Sequence, residues 1–264
     1  MNLLEEIVKH KKKEVGQARE RMSIPELIKL PGFAKQTKSF KEFIKNGSGI
    51  IAEFKKKSPS AGAFDLGMKM EEVLMFYKKH QVSGVSILTD EKYFGGNVEN
   101  LVIADALMDV PVLRKDFIVD EYQLFEAKAY GADVILLIAE ALDEYHATYL
   151  ATIAKSLGLE VLMEFHGVNE LKKYNENVDV LGINNRNLKT LKTDIRTSFD
   201  LMKHLPYDSV KIAESGITSP YEITELLKAG YDGFLIGESV LKNKHLLTRF
   251  NEAIVEFKTV GHAN

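Results

Sequence analysis

Charged and polar side chains stand at the ends of several short apolar segments in this chain of 264 residues. They are Glu53 and Lys55, Lys115, Glu164, Asn184 and Arg186, and Glu214 and Ser215. Ammonium and carboxylate groups that meet in one place pair with each other and shift each other's pKa. Such a set supplies both the acid and the base of a proton-transfer reaction. The sequence therefore suggests acid–base catalysis, provided that the fold brings these residues together.

A second group of residues is suited to bind an anion. Ser215 and Gly216 follow one apolar segment, and Gly237 and Glu238 follow the next. Glycine lets a ligand approach backbone N–H groups, and the start of a helix favours negative charge. Because the net charge of the chain is −3, an anion site has to be built locally rather than by a basic surface. These two loops predict a phosphate site, and Ser58 in the earlier Ser-Pro-Ser segment adds a hydroxyl group.

Eight short apolar segments, rich in β-branched residues, alternate with amphipathic stretches along most of the chain. The segments cover residues 49–54, 84–88, 111–115, 133–139, 159–165, 180–184, 209–214 and 232–237. Strands that alternate with helices predict a parallel sheet with crossover helices. Eight such units fit a closed (β/α)8 TIM barrel. An open doubly wound sheet is the alternative, but the first segment is not followed by the Gly-x-Gly-x-x-Gly turn of a dinucleotide fold.

The polar residues fall at the carboxyl ends of these strands, which form the active-site face of a (β/α)8 barrel. Successive side chains of a strand point to opposite faces, so Ile51, Glu53 and Lys55 share one face. In four other strands, too, the polar residue at the end stands two positions after an apolar residue, so the two share a face. We therefore expect these side chains to converge in the barrel mouth. The alternatives are a structural ion pair of Glu53 with Lys55 at the rim, and a simple turn at residues 184–187.

The chain is predicted to form one domain, residues 1–264, in which residues 1–45 are a helical extension before the barrel. Apolar residues near the start recur at helical spacing, and no Pro/Gly/Ser-rich linker divides the barrel. Acidic residues flank the basic run at residues 9–13, so we interpret this run as a solvated helix face rather than a membrane or nucleic-acid arm. The extension is expected to pack on the barrel or to line the entrance to the site.

Composition excludes several classes of protein and of site. The chain has no cysteine, which excludes a disulfide framework, a thiolate metal site and a cysteine nucleophile. The N-terminus lacks the apolar core of a secretory signal, and no segment approaches the ~20 apolar residues of a membrane span. We expect a cytoplasmic monomer that binds neither nucleic acid nor membranes. His166 with Glu164 offers two metal ligands but no evident third, so we expect no metal.

Five segments, which occur in order over nearly the whole chain, are similar to those of one known family. They are IIAEFKKKSPS (residues 50–60), LTDEKYF (88–94), LRKDFI (113–118), GINNRNL (182–188) and AESGI (213–217). Each segment alone is a modest signal, but the five together are highly specific. The sequence resembles the indole-3-glycerol phosphate synthase family of tryptophan biosynthesis. It departs from that family at Ala61, where many relatives have lysine, and at Asn97, where serine is usual.

The resemblance implies a (β/α)8 lyase without a cofactor, whose substrate is 1-(2-carboxyphenylamino)-1-deoxyribulose 5-phosphate. The enzyme would close the indole ring and then release carbon dioxide and water. By the same resemblance, Lys115 is the general acid that protonates the ketone oxygen, and Glu164 is the general base of the dehydration. Lys55 would hold the substrate carboxylate and donate a later proton. The resemblance leaves open which of Lys55 and Glu164 serves each step.

The other residues that the resemblance implies bind or position the substrate. Those that would position the sugar hydroxyls and support the lysines are Glu53, Asn184, Glu214 and Ser215. Arg186 would belong to the network that holds Glu53, and Phe117 would pack on the anthranilate ring. The phosphate ligands would be the Ser58 hydroxyl and the backbone N–H groups of Gly216, Gly237 and Glu238.

Two alternatives remain open from the sequence. A lysine Schiff-base aldolase on the same barrel would use Lys115 or Lys55 as its nucleophile. A non-catalytic barrel would bind a metabolite or a protein partner, with the N-terminal extension as an interaction surface. The presence of Lys55, Lys115 and Glu164 together argues against the second alternative, because a binding protein needs no acid–base set.

Overall fold

Eight parallel strands close into a barrel in the computed structural model, which describes residues 2–60, 62–64 and 67–261. The strands are β1 (Ile50–Phe54), β2 (Gly84–Leu88), β3 (Val112–Lys115), β4 (Val134–Ile138), β5 (Glu160–Phe165), β6 (Val180–Asn184), β7 (Val210–Glu214) and β8 (Gly233–Ile236). Each strand pairs with its neighbour in sequence, and β8 pairs with β1. The predicted (β/α)8 TIM barrel is confirmed, and each strand lies within its predicted segment. Ala61 lies outside the described residues.

Helices cover the outside of the barrel and connect its strands. They are α1 (Leu3–Arg21), α2 (Ile24–Leu27), α3 (Phe40–Asn46), α4 (Met70–Lys79), α5 (Glu91–Phe94), α6 (Asn100–Leu107), α7 (Tyr122–Ala129), α8 (Glu144–Ser156), α9 (Arg196–Met202), α10 (Pro220–Ala229), α11 (Glu238–Lys242) and α12 (His245–Gly261). Short 3-10 helices cover Pro31–Ala34, Ala139–Ala141 and Val168–Lys173. A hairpin of Lys57–Ser58 with Gly62–Ala63 lies in the loop after β1. No helix in the described part of the chain combines the length and the apolar character needed to cross a bilayer.

Side chains of the barrel strands alternate between two cores, as the pleat of a strand requires. Ile51, Leu113 and Leu162 belong to an inner cluster that fills the barrel. Their neighbours in sequence, such as Ile50 and Val112, belong to an outer cluster between the barrel and its helices. The polar residues predicted at the strand ends stand two positions after inner residues, so their side chains point into the barrel mouth.

Helix α1 lies at the mouth of the barrel, where its first turns line a cavity. Leu4 and Ile7 are buried in the inner cluster. Lys11 follows on the same face one turn later, and only 4% of it is exposed. The prediction that residues 9–13 form a solvated face is therefore wrong for Lys11, although the other lysines of the run are exposed. The reason is helical periodicity, which places Leu4, Ile7 and Lys11 on one face whatever their polarity.

Lys11 anchors α1 to the ends of two barrel strands through buried ion pairs. Its Nζ lies 2.9 Å from Asp90 Oδ2, after β2, and 3.0 Å from Asp116 Oδ1, after β3. Burial alone would lower the pKa of Lys11, but the carboxylates of Asp116 and Asp90 outweigh it and raise that pKa. This shared cation fixes the position of α1 over the mouth.

Replacing Lys11 with methionine should destabilise the protein by about 3 kcal/mol, because the substitution leaves buried carboxylates without their cation. Lys12→Met is the matched control, since Lys12 is exposed on the same helix. It should change the free energy of unfolding by less than about 0.5 kcal/mol. Urea unfolding followed by circular dichroism measures both values. Equal stability of the two variants would contradict the anchoring role of Lys11.

Candidate active site

One lysine and two glutamates meet at the centre of the barrel mouth. Lys115 ends β3, Glu164 lies near the end of β5, and Glu214 ends β7. The Lys115 ammonium donates a hydrogen bond of 2.8 Å to Glu164 Oε2 and lies 3.5 Å from Glu214 Oε2. Both glutamates are only 1% exposed. The structure thus brings these three predicted residues into direct contact.

A second ion pair stands beside the first. Lys55, directly after β1, donates a hydrogen bond of 2.6 Å to Oε1 of Glu53. The two side chains are only 12% and 9% exposed, and they line the same cavity as Lys115. The pair therefore lies inside the site rather than on an open rim.

Two glycines make room for two of these carboxylates. A Cβ atom on Gly182, in β6, would lie 2.2 Å from Oε1 of Glu214. A Cβ atom on Gly237, directly after β8, would lie 2.6 Å from Oε1 of Glu53. A larger residue at either position would displace a carboxylate from its lysine. The absence of a side chain at these two strand positions is therefore part of the site.

The glutamates hold Lys115 in its protonated form. Burial alone would lower the pKa of Lys115, but the charges of the three nearby glutamates raise it well above its ordinary value. Burial alone would likewise raise the pKa of Glu164, but Lys115 and His166 hold it below its ordinary range. The glutamates therefore outweigh burial in setting the pKa of Lys115.

Glu214 differs from Glu164 in its proton affinity. Burial, and then the charge of Glu164, raise the pKa of Glu214 to about 8 against the opposing effect of Lys115. Two adjacent buried carboxyl groups do not both ionise readily. At neutral pH the pair therefore holds one proton, and Glu164 carries the negative charge.

Two cavities meet at these ion pairs. The first has an apolar wall formed by Leu3, Leu4, Ile7, Phe94, Phe117, Leu136, Ile138 and Leu188. The second is lined by the loops that follow β7 and β8. Glu53, Lys55 and Lys115 line both cavities. A ligand with an aromatic end and an anionic end therefore fits with its middle at the lysines.

The predicted phosphate loops line the second cavity. Ser215 and Gly216 follow β7 with φ angles of +65° and +76°, and this left-handed pair turns the chain around the cavity. Gly237 and Glu238 stand at the start of α11 on the same cavity. Ser58 lines the first cavity. Its predicted contact with phosphate stays a prediction.

Asn184 lines the first cavity, and Arg186 lines both. Asn184 is buried at the end of β6, and its Oδ1 accepts the backbone N–H of Arg186 at 2.9 Å. The Arg186 guanidinium contacts the Ser60 hydroxyl and donates a hydrogen bond of 3.3 Å to the Glu238 carboxylate. Arg186 lines both cavities together with Glu53, but the contacts described for its side chain are to Ser60 and Glu238.

Several residues of the site were not predicted from the sequence. Phe117 was predicted and lies in the first cavity, with its ring centre 6.2 Å from that of Phe94. Phe94 and the α1 residues Leu4 and Ile7 were not singled out, although they complete the apolar wall. His166 was considered only as a metal ligand, yet its ring lies 3.3 Å from Glu164. His166 stands two residues after Glu164 on the same strand face, and this spacing could have indicated that the two side chains are in contact.

Comparison with known proteins identifies the family of the chain. A sequence model of the family described as "Indole-3-glycerol phosphate synthase" matches residues 4–252. A protein of that name from Bacteroides thetaiotaomicron is 46% identical over 242 residues, which cover 91% of this chain and 93% of the relative. Another from Thermoanaerobacter pseudethanolicus is 37% identical over 262 residues, which cover 98% and 100%. A solved structure named "Native KDPGal structure" shares the fold alone, with a TM-score of 0.56 and 16% identity over 80% of this chain and 96% of that one. The chain therefore belongs to the indole-3-glycerol phosphate synthase family.

Proposed function

We propose that this chain makes indole-3-glycerol phosphate, as a carboxy-lyase of tryptophan biosynthesis, with Lys115 as general acid and Glu164 as general base. The activity is inferred from membership of the family. One geometric observation supports the residue roles: Lys115 lies where an apolar cavity meets a loop-lined one, with a buried carboxylate on either side. The substrate, 1-(2-carboxyphenylamino)-1-deoxyribulose 5-phosphate, has an aromatic ring at one end, a phosphate at the other and its ketone between them.

Ring closure needs a proton donor at the ketone. The ring carbon that bears the carboxylate attacks the ketone carbon, and negative charge develops on the ketone oxygen. The raised pKa of Lys115 keeps it protonated before this step. The alkoxide that forms is far more basic than an amine, so Lys115 still gives up its proton to it. The ring becomes cationic, and the ionised Glu164 stabilises that charge.

Loss of carbon dioxide and water completes the reaction. Decarboxylation returns an electron pair to the ring and neutralises the cation. The hydroxyl group formed in the first step then leaves as water, which needs a proton from a lysine and removal of a proton from the adjacent carbon. Glu164 is ionised and buried, and is therefore suited to accept that proton. Lys55 is suited to hold the carboxylate before it leaves and to protonate the departing hydroxyl.

Each end of the substrate has its own set of binding groups in this proposal. The anthranilate ring packs on Phe117 in the apolar cavity. The groups proposed for the phosphate are the Ser58 hydroxyl and the backbone N–H groups of Gly216, Gly237 and Glu238. The residues proposed to position the sugar hydroxyls are Glu53, Asn184, Glu214 and Ser215. Arg186 supports this network from Glu238.

The electrostatics of the site disfavour Lys115 as the nucleophile of a Schiff-base aldolase. A lysine nucleophile has to be neutral, usually through a lowered pKa. The pKa of Lys115 is instead raised by the surrounding glutamates. Borohydride treatment in the presence of a sugar phosphate should therefore leave no adduct on Lys115 in the mass spectrum.

We further propose that the enzyme is a cytoplasmic monomer that needs no cofactor. All the groups assigned above come from a single chain, and each proton transfer has a side chain to serve it. A cytoplasmic location fits the biosynthetic family. Light scattering tests the monomeric state, cell fractionation tests the location, and activity in EDTA tests whether a metal is needed.

Product fluorescence tests the proposed function. The chain contains no tryptophan, so indole emission reports product without a protein background. Purified protein mixed with the substrate should show rising indole emission, and the mass of indole-3-glycerol phosphate should appear in the reaction mixture. Failure of the folded wild-type protein to form this product would overturn the proposal.

The proton held by Glu164 and Glu214 predicts a pH dependence. Above a pH of about 8, Glu214 ionises and adds a second negative charge that faces an anionic substrate. The kcat/KM of the wild type should therefore fall as the pH rises through about 8. Glu214→Gln replaces the titrating group by a neutral amide, so this fall should vanish whatever the absolute rate. An unchanged alkaline fall in Glu214→Gln would contradict the assignment.

A further inference from the structure

His166 lies on the side of Glu164 opposite to Lys115. It directly follows β5, only 5% of its side chain is exposed, and its Nε2 lies 3.3 Å from Oε1 of Glu164. The other oxygen, Oε2, accepts the hydrogen bond from Lys115 at 2.8 Å. Each oxygen of Glu164 therefore lies within ion-pair distance of a different nitrogen. His166 is not among the described residues that line the two cavities, so any effect on the reaction passes through Glu164.

Two further glutamates face the other ring nitrogen of His166. Its Nδ1 lies 3.8 Å from Glu170 Oε2 and 3.9 Å from Glu140 Oε2. The same Glu170 oxygen accepts the backbone N–H of His166 at 2.8 Å, and Lys189 lies 2.7 Å from the other oxygen of Glu140. Burial alone would lower the pKa of His166, but the surrounding carboxylates raise it to about 10.

A proton suits this cluster better than a metal ion does. Ligand atoms of Glu140, His166 and Glu170 lie within 4.8 Å of one another, a set that does not include Glu164, the ligand considered with His166 from the sequence. Three carboxylates surround the ring, however, and the positive charges of His166, Lys115 and Lys189 already balance them. A metal would have to displace a ring proton that these carboxylates hold tightly.

We propose that His166 is a positioning residue, which as an imidazolium holds Oε1 of Glu164 and is itself held by Glu140 and Glu170. This contact has two effects. It fixes the orientation of the carboxylate, so that Oε2 stays on Lys115, and it keeps Glu164 ionised at the acidic end of the working pH range. The inference rests on the role proposed above for Glu164.

Two substitutions separate these effects. His166→Gln keeps a hydrogen-bond donor without the charge, and His166→Leu removes both. We expect kcat to fall about 10-fold in the first variant and about 100-fold in the second, within the range of general base catalysis. KM should change by less than about 3-fold, because His166 does not touch the substrate. The acidic limb of the kcat/KM profile should move to higher pH, since Glu164 then takes up a proton more easily.

The matched control is His146→Gln, because His146 is an exposed histidine on α8. It should leave kcat, KM and the pH profile unchanged. Folded His166→Leu protein with the wild-type kcat and pH profile would overturn the inference.

Nitrogen-15 NMR of the histidine rings tests the inference without turnover. The resonances of His166 are assigned by their loss in His166→Gln. Both ring nitrogens should stay protonated to above pH 8, in line with a pKa of about 10. Glu170→Gln should lower that pKa by at least about one unit. A neutral ring at pH 7 would overturn the inference, whereas a wild type without turnover would overturn only the proposed function.

Discussion

Lys115→Ala should lower kcat/KM for indole-3-glycerol phosphate formation by at least about 10³-fold. General acid catalysis alone contributes roughly 10²- to 10⁴-fold. The alanine also leaves Glu164 and Glu214 facing each other in a buried site without the cation that they share. Without that cation the carboxyl groups take up protons more readily, so the variant loses its acid and its base is weakened. The two ends of the substrate bind away from Lys115, and KM should therefore change less than kcat. The indole fluorescence assay measures both.

Two further variants control this result. Lys115→Arg keeps the positive charge but not a proton that is readily given up. It should keep Glu164 ionised and still lose most of the rate. Lys228→Ala removes only an exposed ion pair on α10 and should leave the rate unchanged. If folded Lys115→Ala retained more than about a tenth of the wild-type rate, too much for the loss of a general acid, the acid would be another group. Lys55 would then be the next candidate.

The barrel and its ring of polar residues could be predicted because both depend on local pattern. Strands that are buried on both faces have to be apolar along their length. A lysine at the end of β3 or a glutamate near the end of β5 therefore stands out as an exception. Period-two alternation then assigns these side chains to the inner face, and the closed barrel brings them together. No long-range information is needed for these steps.

Lys11 and His166 could not be assigned from local pattern. Lys11 stands in a basic run that is typical of a solvated face, and its partners Asp90 and Asp116 lie far along the chain. The ring of His166 has Glu140 beside it only because β4 and β5 pair in the barrel. In both cases burial depends on tertiary contacts, and a charge can be buried only where such contacts supply its partner.

The pKa shifts of the site residues also could not be predicted from the sequence. Lys115 faces glutamates from β1, β5 and β7, and the shift in its pKa depends on their distances and on the depth of burial. Gly182 shows how fine this dependence is. The carboxylate of Glu214 reaches its position only because β6 has no side chain there. A glycine in a strand can be present for many reasons. That Gly182 makes room for the carboxylate of Glu214 can be seen only in the fold.

Glu164→Gln should lower kcat by about 10³-fold and yet leave the protein folded. The amide keeps the shape of the side chain, but it cannot accept the proton that dehydration releases, and a lost general base is expected to slow a reaction by roughly 10²- to 10⁴-fold. Glu214 loses the neighbouring charge that helps to raise its pKa. It should therefore ionise and become the partner of Lys115, which lies 3.5 Å away. Glu176→Gln, at an exposed position, is the control for the loss of a glutamate and should keep the wild-type rate.

The pH profile of Glu164→Gln distinguishes a base on β5 from a base on β7. Without the charge of Glu164, Glu214 ionises at a lower pKa, so the alkaline fall near pH 8 should disappear from kcat/KM, as it should in Glu214→Gln. Both variants would then show no alkaline fall in kcat/KM. Glu164→Gln has its ionised carboxylate on β7, whereas Glu214→Gln has its ionised carboxylate on β5. A charge in the mouth is present in both, and only its position differs. If Glu164→Gln were the more active of the two, the carboxylate on β7 would be the base and the assignment of Glu164 would be wrong. If Glu214→Gln is the more active by a factor of ten or more, position rather than charge decides the reaction.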